Sequence, residues 1–254
     1  MIWVELVGVI AGVLLLVSGV IVGVQKASPH HVRAQHNDVA GFVYAVLGVL
    51  YAVLLAFVVV DEWEALGQAD RNTFAETDKL GSLYWNARAM PPDIGRDLEA
   101  TTKLYAETVI HNEWPLLNRR GYSREATGLV YRMRDQVNAL PTDTARERTL
   151  FDESLRDVND LAAARRMRLS ESGDQVPAIM WAALVLGATL TVGYTFLFGL
   201  SKFWSHLLIA GPLATLVILA LILIEMLDHP FANAIGVHPE AFEIFLRDLP
   251  AQRV

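Results

Sequence analysis

The sequence predicts an all-α membrane protein with four transmembrane helices and a helical extramembrane insert between the second and third spans. Four apolar segments are each long enough to cross the roughly 30 Å hydrocarbon core of a bilayer. Between Asp61 and Asp174 lie 16 of the 21 Lys and Arg residues and 21 of the 28 Asp and Glu residues, so this part is the polar one. No segment alternates apolar and polar residues with a period of two, and β-strands are therefore not expected.

The second span is the clearest, because residues 39–60 carry no charge and end abruptly at Asp61 and Glu62. The first span has no basic segment before it and is longer than a usual signal-peptide core, so we expect a retained anchor. The remaining spans are predicted at residues 2–24, 177–199 and 205–224, with Glu5 in the first and His206 and Pro212 in the last.

These spans divide the chain into four predicted domains. Residues 1–60 form a first transmembrane hairpin, and residues 61–174 form a helical bundle outside the membrane. Residues 175–227 form the second transmembrane hairpin, and the C-terminal tail at 228–254 is expected to pack on the bundle. Phe231, Phe242 and Phe245 lie in this tail, and aromatic side chains of this size are rarely left in water.

An even number of spans places both termini and the insert on the same side of the membrane. Lys and Arg near the span ends are more numerous on this side, and such residues are enriched in cytoplasmic segments. We therefore expect an integral protein of the plasma membrane with the insert and both termini in the cytoplasm. The basic residues near span ends are Arg71, Arg165, Arg166, Arg168 and Arg247 on the insert side, against Lys26, Arg33 and Lys202 on the other.

Apolar residues at helical spacing predict that the insert is built from helices. The second span is expected to continue as one long helix that stops at Pro91 and Pro92. Three further helices should follow, and Ser123 is the predicted N-cap of the middle one. The apolar residues that extend the second span are Trp63, Leu66, Phe74, Leu80 and Tyr84.

The second span has two faces of interest. One carries small residues at a spacing typical of closely packed membrane helices, either within the subunit or between subunits. In a ring of second spans, the adjacent face would line a narrow apolar passage that gates by dewetting. Alternatively, its two tyrosines lie inside the bundle with their hydroxyls bonded to neighbouring helices. The small face consists of Gly41, Ala45, Gly48, Ala52 and Ala56, and the adjacent face of Tyr44, Leu47, Tyr51, Leu55 and Val58.

Charged residues at the end of this span are candidates for a pore mouth. Asp61 and Glu62 directly extend the helix, and one set per subunit would form a ring of carboxylates that concentrates cations. The simpler alternative is that carboxylates at span ends reach water at little cost. Arg165, Arg166 and Arg168 precede the third span and could balance the field, so the sequence leaves ion selectivity open.

Several functions are not expected. A net charge of −7 without a long basic run disfavours nucleic acid as a partner. The chain has no cysteine, and it carries no glycine-rich phosphate loop or nucleophile motif, so we expect no enzyme and no cofactor. His30, His31 and His36 share a loop, but their spacing is more typical of a solvated loop than of a metal site. The expected partners are the lipid bilayer, further copies of the chain and small inorganic ions.

Four stretches carry a family resemblance. They are NDVAGFVYAVLGVLYAVLLAFVVVDEWE at residues 37–64, YAETVIHNEWP at 105–115, GATLTVGYTFLFG at 187–199 and LDHPFANAIGVHPEAF at 227–242. In this order they resemble the bacterial bestrophin-like family, which is distantly similar to the bestrophin ion channels. The resemblance implies a homopentameric ion channel of the bacterial inner membrane, with a pore lined mainly by the second span.

The sequence departs from the animal bestrophins at one functional element. These relatives bind calcium through an acidic run after a Pro-Phe-Gly element, whereas Pro230 and Phe231 are followed here by Ala232. A calcium site needs six or more oxygen ligands, and the later acidic residues are scattered, so calcium gating is not expected.

The alternative to an ion channel is a different class of protein, a non-conducting membrane scaffold or sensor that assembles through its helical insert.

Overall fold

The computed structural model describes residues 2–27, 37–200, 202–232 and 234–250. The regular structure in these ranges is helical and contains no strand, and four helices are long and apolar enough to cross a membrane. The predicted all-α fold with four membrane spans is therefore confirmed. The predicted histidine loop, with His30, His31 and His36, lies outside the described residues.

In chain order the helices are α1 (Ile2–Ala27), α2 (Asn37–Ala87), α3 (Pro92–Thr108), a π-helical turn (Val109–Glu113), α4 (Trp114–Leu117), α5 (Arg124–Asn138), α6 (Ala145–Glu171), α7 (Ala178–Thr195), α8 (Phe203–Leu227) and α9 (Glu240–Asp248). The four candidate membrane spans lie in α1, α2, α7 and α8. The chain packs as two compact units. The span unit consists of Met1–Glu62 and Val176–Glu225, and the bundle unit consists of Trp63–Gln175 and Met226–Val254.

Helix α2 is 51 residues long and continues without a break past the apolar segment. Glu, Ala and Leu, which favour helix, make up ten of the 27 residues from Asp61 to Ala87, so the change in hydropathy does not end it. The helix ends at Ala87, and the chain then turns to Pro91, whose backbone is extended. Pro92 starts α3 at the first helical position, where its missing amide hydrogen costs nothing. The long helix predicted from the apolar spacing is thus observed.

A proline also shapes the end of α3. Pro115 has no amide hydrogen, and in a regular helix its ring would clash with the carbonyl of His111, four residues earlier. The helix widens instead into the π-helical turn, where the Trp114 amide donates to the Val109 carbonyl. Such turns are frequent at functional sites. This one ends at Glu113, which is completely buried.

The starts of α5 and α6 are capped by side chains. The Ser123 hydroxyl accepts a hydrogen bond of 3.2 Å from the Ala126 amide, as predicted for the N-cap of α5. Thr144 and Glu147 form a reciprocal capping box at the start of α6. These contacts satisfy amides that have no partner within their own helix.

The bundle unit has one continuous apolar core formed by α2, α3, α5, α6 and the C-terminal segment. Phe242 of α9 is completely buried and contacts Tyr105 and Trp114, while Phe245 packs its ring edge against Tyr84. The completely buried apolar residues of this core include Leu80, Leu83, Leu98, Val109, Met133, Val137, Val158 and Leu161.

The span unit is held by two smaller apolar clusters. In the first, Val17 and Ile21 of α1 pack against Ala210 and Ala214 of α8. The second joins α2 to α7 and α8 through Val58, Leu184 and Ile224, together with Val176.

Candidate functional site

The bundle unit encloses a network of charged side chains that the sequence did not reveal. Glu76 comes from α2, Tyr105 from α3, Glu113 from the π-helical turn, and Arg165 and Arg168 from α6. All five are buried, and the side chains of Glu76, Glu113 and Arg168 have no exposed surface. Buried ionised groups are rare unless they are paired, and this set holds two carboxylates and two guanidinium groups.

Arg168 bridges both carboxylates. Its Nε donates to Glu76 Oε2 at 2.7 Å, and its Nη2 donates to Glu76 Oε1 at 3.1 Å and to Glu113 Oε1 at 2.8 Å. The guanidinium carbon lies 5.4 Å from the ring centre of Trp114 and 5.7 Å from that of Phe242. The aromatic rings exclude water from the ion pairs, and they also attract the cation.

Glu113 and Glu76 are saturated by further donors. Arg165 donates to Glu113 Oε1 at 3.2 Å and to Oε2 at 2.5 Å, and the Ser123 amide donates to Oε2 at 2.9 Å. With Arg168, Glu113 therefore accepts four hydrogen bonds. The Tyr105 hydroxyl donates to Glu76 Oε1 at 2.5 Å. The network thus connects α2, α3, α6 and the residue that caps α5.

The pKa values in this network follow from burial and charge. Burial raises the pKa of Glu113, but the hydrogen bond from Arg165 and the charges of Arg168 and Arg165 outweigh it, so the pKa lies below its ordinary value. Burial and then the negative charge of Glu76 raise the pKa of Tyr105 well above its ordinary value. Tyr105 therefore stays protonated, and its hydroxyl remains a donor to Glu76.

These shifts predict an acid-labile fold. Because the pKa of Glu113 is lower in the folded chain than its unfolded value of 4.5, its contribution to stability is present above that value and is lost as the pH falls through the folded pKa. The thermal unfolding midpoint should fall more between about pH 6 and about pH 3 in the native chain than in Glu113→Gln, whose side chain does not titrate. The variant should start from a lower midpoint at neutral pH. Equal acid sensitivity in the two chains would contradict this prediction.

Two of the three arginines that could balance the charge at the pore mouth form buried ion pairs. Arg165 and Arg168 point into the bundle unit and are paired there, whereas Arg166 is exposed. The sequence contains a pattern that indicates the burial of these two arginines. Arg165 and Arg168 follow Val158 and Leu161 on the apolar face of α6, at a spacing of three and four residues. A charge within an apolar stripe calls for a buried partner.

The face of α2 that was predicted to line a passage is partly covered within its own chain. Tyr51 is 6% exposed and Val58 is 7% exposed. Tyr44, Leu47 and Leu55 are half-buried. This is the packing expected if the tyrosines lie among the membrane helices of their own chain. The Tyr51 hydroxyl, however, has no hydrogen-bond partner among the described residues. Lining of a passage concerns an assembly of several copies and stays a prediction.

Both tyrosines of this face lie against α7. The ring of Tyr51 occupies the space that a Cβ atom on Gly187 would need. Tyr44 stacks on Tyr194 with 6.4 Å between ring centres, and it meets Phe198 edge to face at 5.8 Å. The close approach of helices in this unit therefore uses a glycine of α7.

The small-residue face of α2 has no such neighbour within the described chain. Ala45, Ala52 and Ala56 are exposed, and a Cβ atom on Gly41 or Gly48 would meet nothing within 4 Å. Close packing of this face, within the subunit or between copies, stays a prediction. Part of the face borders a largely apolar groove of about 420 Å³ between α2, α7 and α8. Its lining residues are Tyr44, Ala45, Gly48, Val49, Tyr51, Ala52, Leu55, Thr191, Leu213, Leu216, Val217 and Ala220.

The predicted pore-mouth residues are adjacent on α2. Asp61 is exposed and Glu62 is half-buried. Both follow directly on the apolar segment within an unbroken helix, so copies of α2 arranged in a ring would carry one such pair each.

Four helices that could cross a bilayer, together with a helical unit that encloses paired charges, define an integral membrane protein. The family model described as the Bestrophin-like domain matches residues 11–242, and the chain therefore belongs to the bestrophin-like family. No curated protein sequence matches the chain significantly.

Solved structures share this fold. The crystal structure of a bacterial bestrophin homolog from Klebsiella pneumoniae superposes with a TM-score of 0.70 at 13% identity, and the match covers 94% of this chain and 96% of that one. A mutated form of the same homolog gives a TM-score of 0.71 at 15% identity, with 95% and 96% of the two chains covered. At this identity the likeness establishes the fold.

Proposed function

We propose that the chain is one subunit of a homo-oligomeric, pentameric ion channel whose pore is lined by α2. The unbroken α2 helix is the observation that carries this proposal, because it begins as an apolar span and continues for 51 residues. Membership of a family related to ion channels supports the activity. The channel would lie in the bacterial inner membrane, with the insert and both termini in the cytoplasm.

The surface of α2 within the span unit supports assembly through this helix. Phe42, Val49 and Phe57 of α2 are 74%, 64% and 72% exposed in one chain, as expected of span residues that face lipid or a neighbouring copy. Ala45, Ala52 and Ala56 are uncovered as well, and small residues let membrane helices approach closely. Packing between copies of α2 would cover part of this surface.

The constriction of this channel is proposed at the apolar face of α2. Tyr44, Leu47 and Leu55 keep part of their surface uncovered and could border a lumen, with Tyr51 and Val58 beneath them. A narrow apolar passage holds little water and blocks ions until it widens. Asp61 and Glu62 would form the charged ring at its mouth and set the ion preference.

The test is ion flux through the purified protein in liposomes. Tyr51→Ala should raise the flux because it widens the constriction, whereas Leu208→Ala should leave it unchanged, since Leu208 is 73% exposed on α8. Asp61→Asn combined with Glu62→Gln should change the cation-to-anion preference by about tenfold through loss of the charged ring. Size-exclusion chromatography shows whether each variant remains folded, which matters most for the buried Tyr51.

The flux measurements distinguish a channel from a non-conducting scaffold. Flux that responds to Tyr51 and to the Asp61 and Glu62 pair, but not to Leu208, supports the pore along α2. If folded and inserted protein passes no ions in any form, the channel is contradicted and the chain would act as a non-conducting membrane scaffold or sensor.

A further inference from the structure

The bundle unit has a large open groove of about 770 Å³ lined by residues of α2, α6 and α9. Phe74, 41% exposed, and Trp85, 56% exposed, both line it. Exposed aromatic side chains along one groove are typical of a surface that a partner covers. The groove is lined by Phe74, Thr77, Asp78, Lys79, Gly81, Ser82, Trp85, Asn86, Glu153, Arg156, Asp157, Ala241, Ile244 and Phe245.

The lining of this groove carries a net negative charge, with Asp78, Glu153 and Asp157 against Lys79 and Arg156. Its one lysine is already engaged, because Lys79 Nζ lies 3.4 Å from Asp157 and 3.1 Å from Asp160. Asp78 and Glu153 are exposed. Apart from Lys79, Arg156 is the basic residue of the lining. We refer to this surface as the acidic groove. A partner with exposed arginines would complement it.

The same unit presents such a surface around the start of α5. Arg119, Arg120 and Arg124 are exposed there, and Tyr122 and Tyr131 are 53% and 59% exposed. Glu125 is the nearby acid, and its Oε2 already accepts a hydrogen bond from Asn112. We refer to this surface, from Arg119 to Arg132, as the basic ridge.

The groove and the ridge lie on opposite sides of the same pair of helices. Helix α5 packs on α3 and α6. Helix α2 meets these same two helices through Glu76, which binds Tyr105 of α3 and Arg168 of α6. The groove on α2 and the ridge on α5 therefore belong to helices that both pack on α3 and α6, and a contact between the two surfaces is expected between copies.

The two surfaces overlap in level along the bundle unit. At the start of α5, the Ser123 amide binds Glu113, which shares Arg168 with Glu76 of α2. Further along, Arg134 of α5 binds Asn159 of α6 at 2.8 Å, next to the acids that hold Lys79 of α2. A repeated head-to-tail contact closes into a ring where it has no rise and its rotation divides a full turn, and it otherwise forms a filament.

From these observations we infer that the acidic groove of one copy receives the basic ridge of the next copy. This inference rests on the proposed homo-oligomer and names the surfaces that join its subunits. Arg120, Arg124 and Tyr131 would enter the groove, where Asp78 and Trp85 provide a carboxylate and an aromatic wall. Aromatic and arginine side chains contribute strongly at interfaces of this kind.

Cysteine cross-linking of the full chain in liposomes tests this contact, because the natural chain has no cysteine. Ser82→Cys places a thiol in the groove, and Gly128→Cys places one on the ridge, where a Cβ atom meets nothing within 4 Å. A bismaleimide should link the double variant into a ladder that ends at the complete ring, the pentamer. The matched control combines Gly128→Cys with Arg96→Cys, which is exposed near the start of α3 outside both surfaces.

The proposed contact predicts linkage on the order of a hundredfold faster in the groove and ridge pair than in the control pair, because neighbouring thiols have a high effective concentration. Either single variant alone should remain monomeric on a denaturing gel. Equal rates in the two pairs, or dimers from Ser82→Cys alone, would overturn the head-to-tail contact. Ion flux from the same liposomes keeps the two proposals apart: a ladder without flux overturns the channel, and flux without a ladder overturns this interface.

Discussion

Replacing Arg168 by methionine is expected to cost about 3–5 kcal/mol of folding free energy, because it leaves a buried carboxylate without its cation. Glu76 would keep only the hydrogen bond from Tyr105, while its side chain stays fully buried. Glu113 would retain Arg165, so the loss falls mainly on Glu76. The unpaired charge, and not the lost volume, is the cause, since methionine fills much of the same space.

Arg166→Met is the matched control for this prediction. Arg166 lies on the same helix between the two buried arginines, but its side chain is exposed. Exposed substitutions of this kind usually change stability by about 0.5 kcal/mol or less. Thermal unfolding in detergent, followed by size-exclusion chromatography, should therefore separate the two variants by many degrees. Equal midpoints would show that the buried pairs contribute no more than a surface arginine.

The network also has a consequence for how α2 is held. A buried ion pair can be replaced by apolar residues at little cost, so its presence does not by itself explain stability. It does fix which residues of α2, α3 and α6 face one another, because the charged groups tolerate only paired arrangements. A rotation or shift of α2 against α6 would separate Glu76 from Arg168. The polar half of the proposed pore helix is thus held in one register.

Much of the fold could be predicted because it depends on local patterns. Apolar length identified the four spans, Pro91 marked the end of α2, and the Ser123 hydroxyl caps α5 as expected. The partnership of Glu76 with Arg168 could not be predicted in this way. These residues are 92 positions apart, and no local spacing links them. The sequence indicated a buried partner for Arg168 only through the position of this charge within the apolar stripe of α6.

The faces of α2 illustrate the same limit within the span unit. The spacing of Gly41, Ala45 and Gly48 places small residues on one face of α2, but it does not show which helix covers that face. In the chain the close approach occurs at Gly187 of α7, against Tyr51. Nothing in the spacing of α7 distinguished this glycine, because the contact depends on how two distant helices meet.

Gly187→Val is therefore expected to destabilise the single chain, by about 1–3 kcal/mol, through overpacking against Tyr51. A Cβ atom at this position overlaps the aromatic ring, so either the ring or α7 must move. The unfolding midpoint in detergent should fall, while the subunit number of the remaining folded protein stays the same. If Tyr51 also borders the pore, the displaced ring should change ion flux as well.

Gly48→Val tests whether the small-residue face of α2, in the same span unit, packs between copies. A Cβ atom at Gly48 meets nothing within 4 Å, so the stability of a single chain should be unaffected. If the small-residue face packs between copies, the added isopropyl group should weaken assembly, because close approach of the backbones is lost. Multi-angle light scattering in detergent measures this directly. A drop in the unfolding midpoint without a change in subunit number would instead place a helix of the same chain against this face.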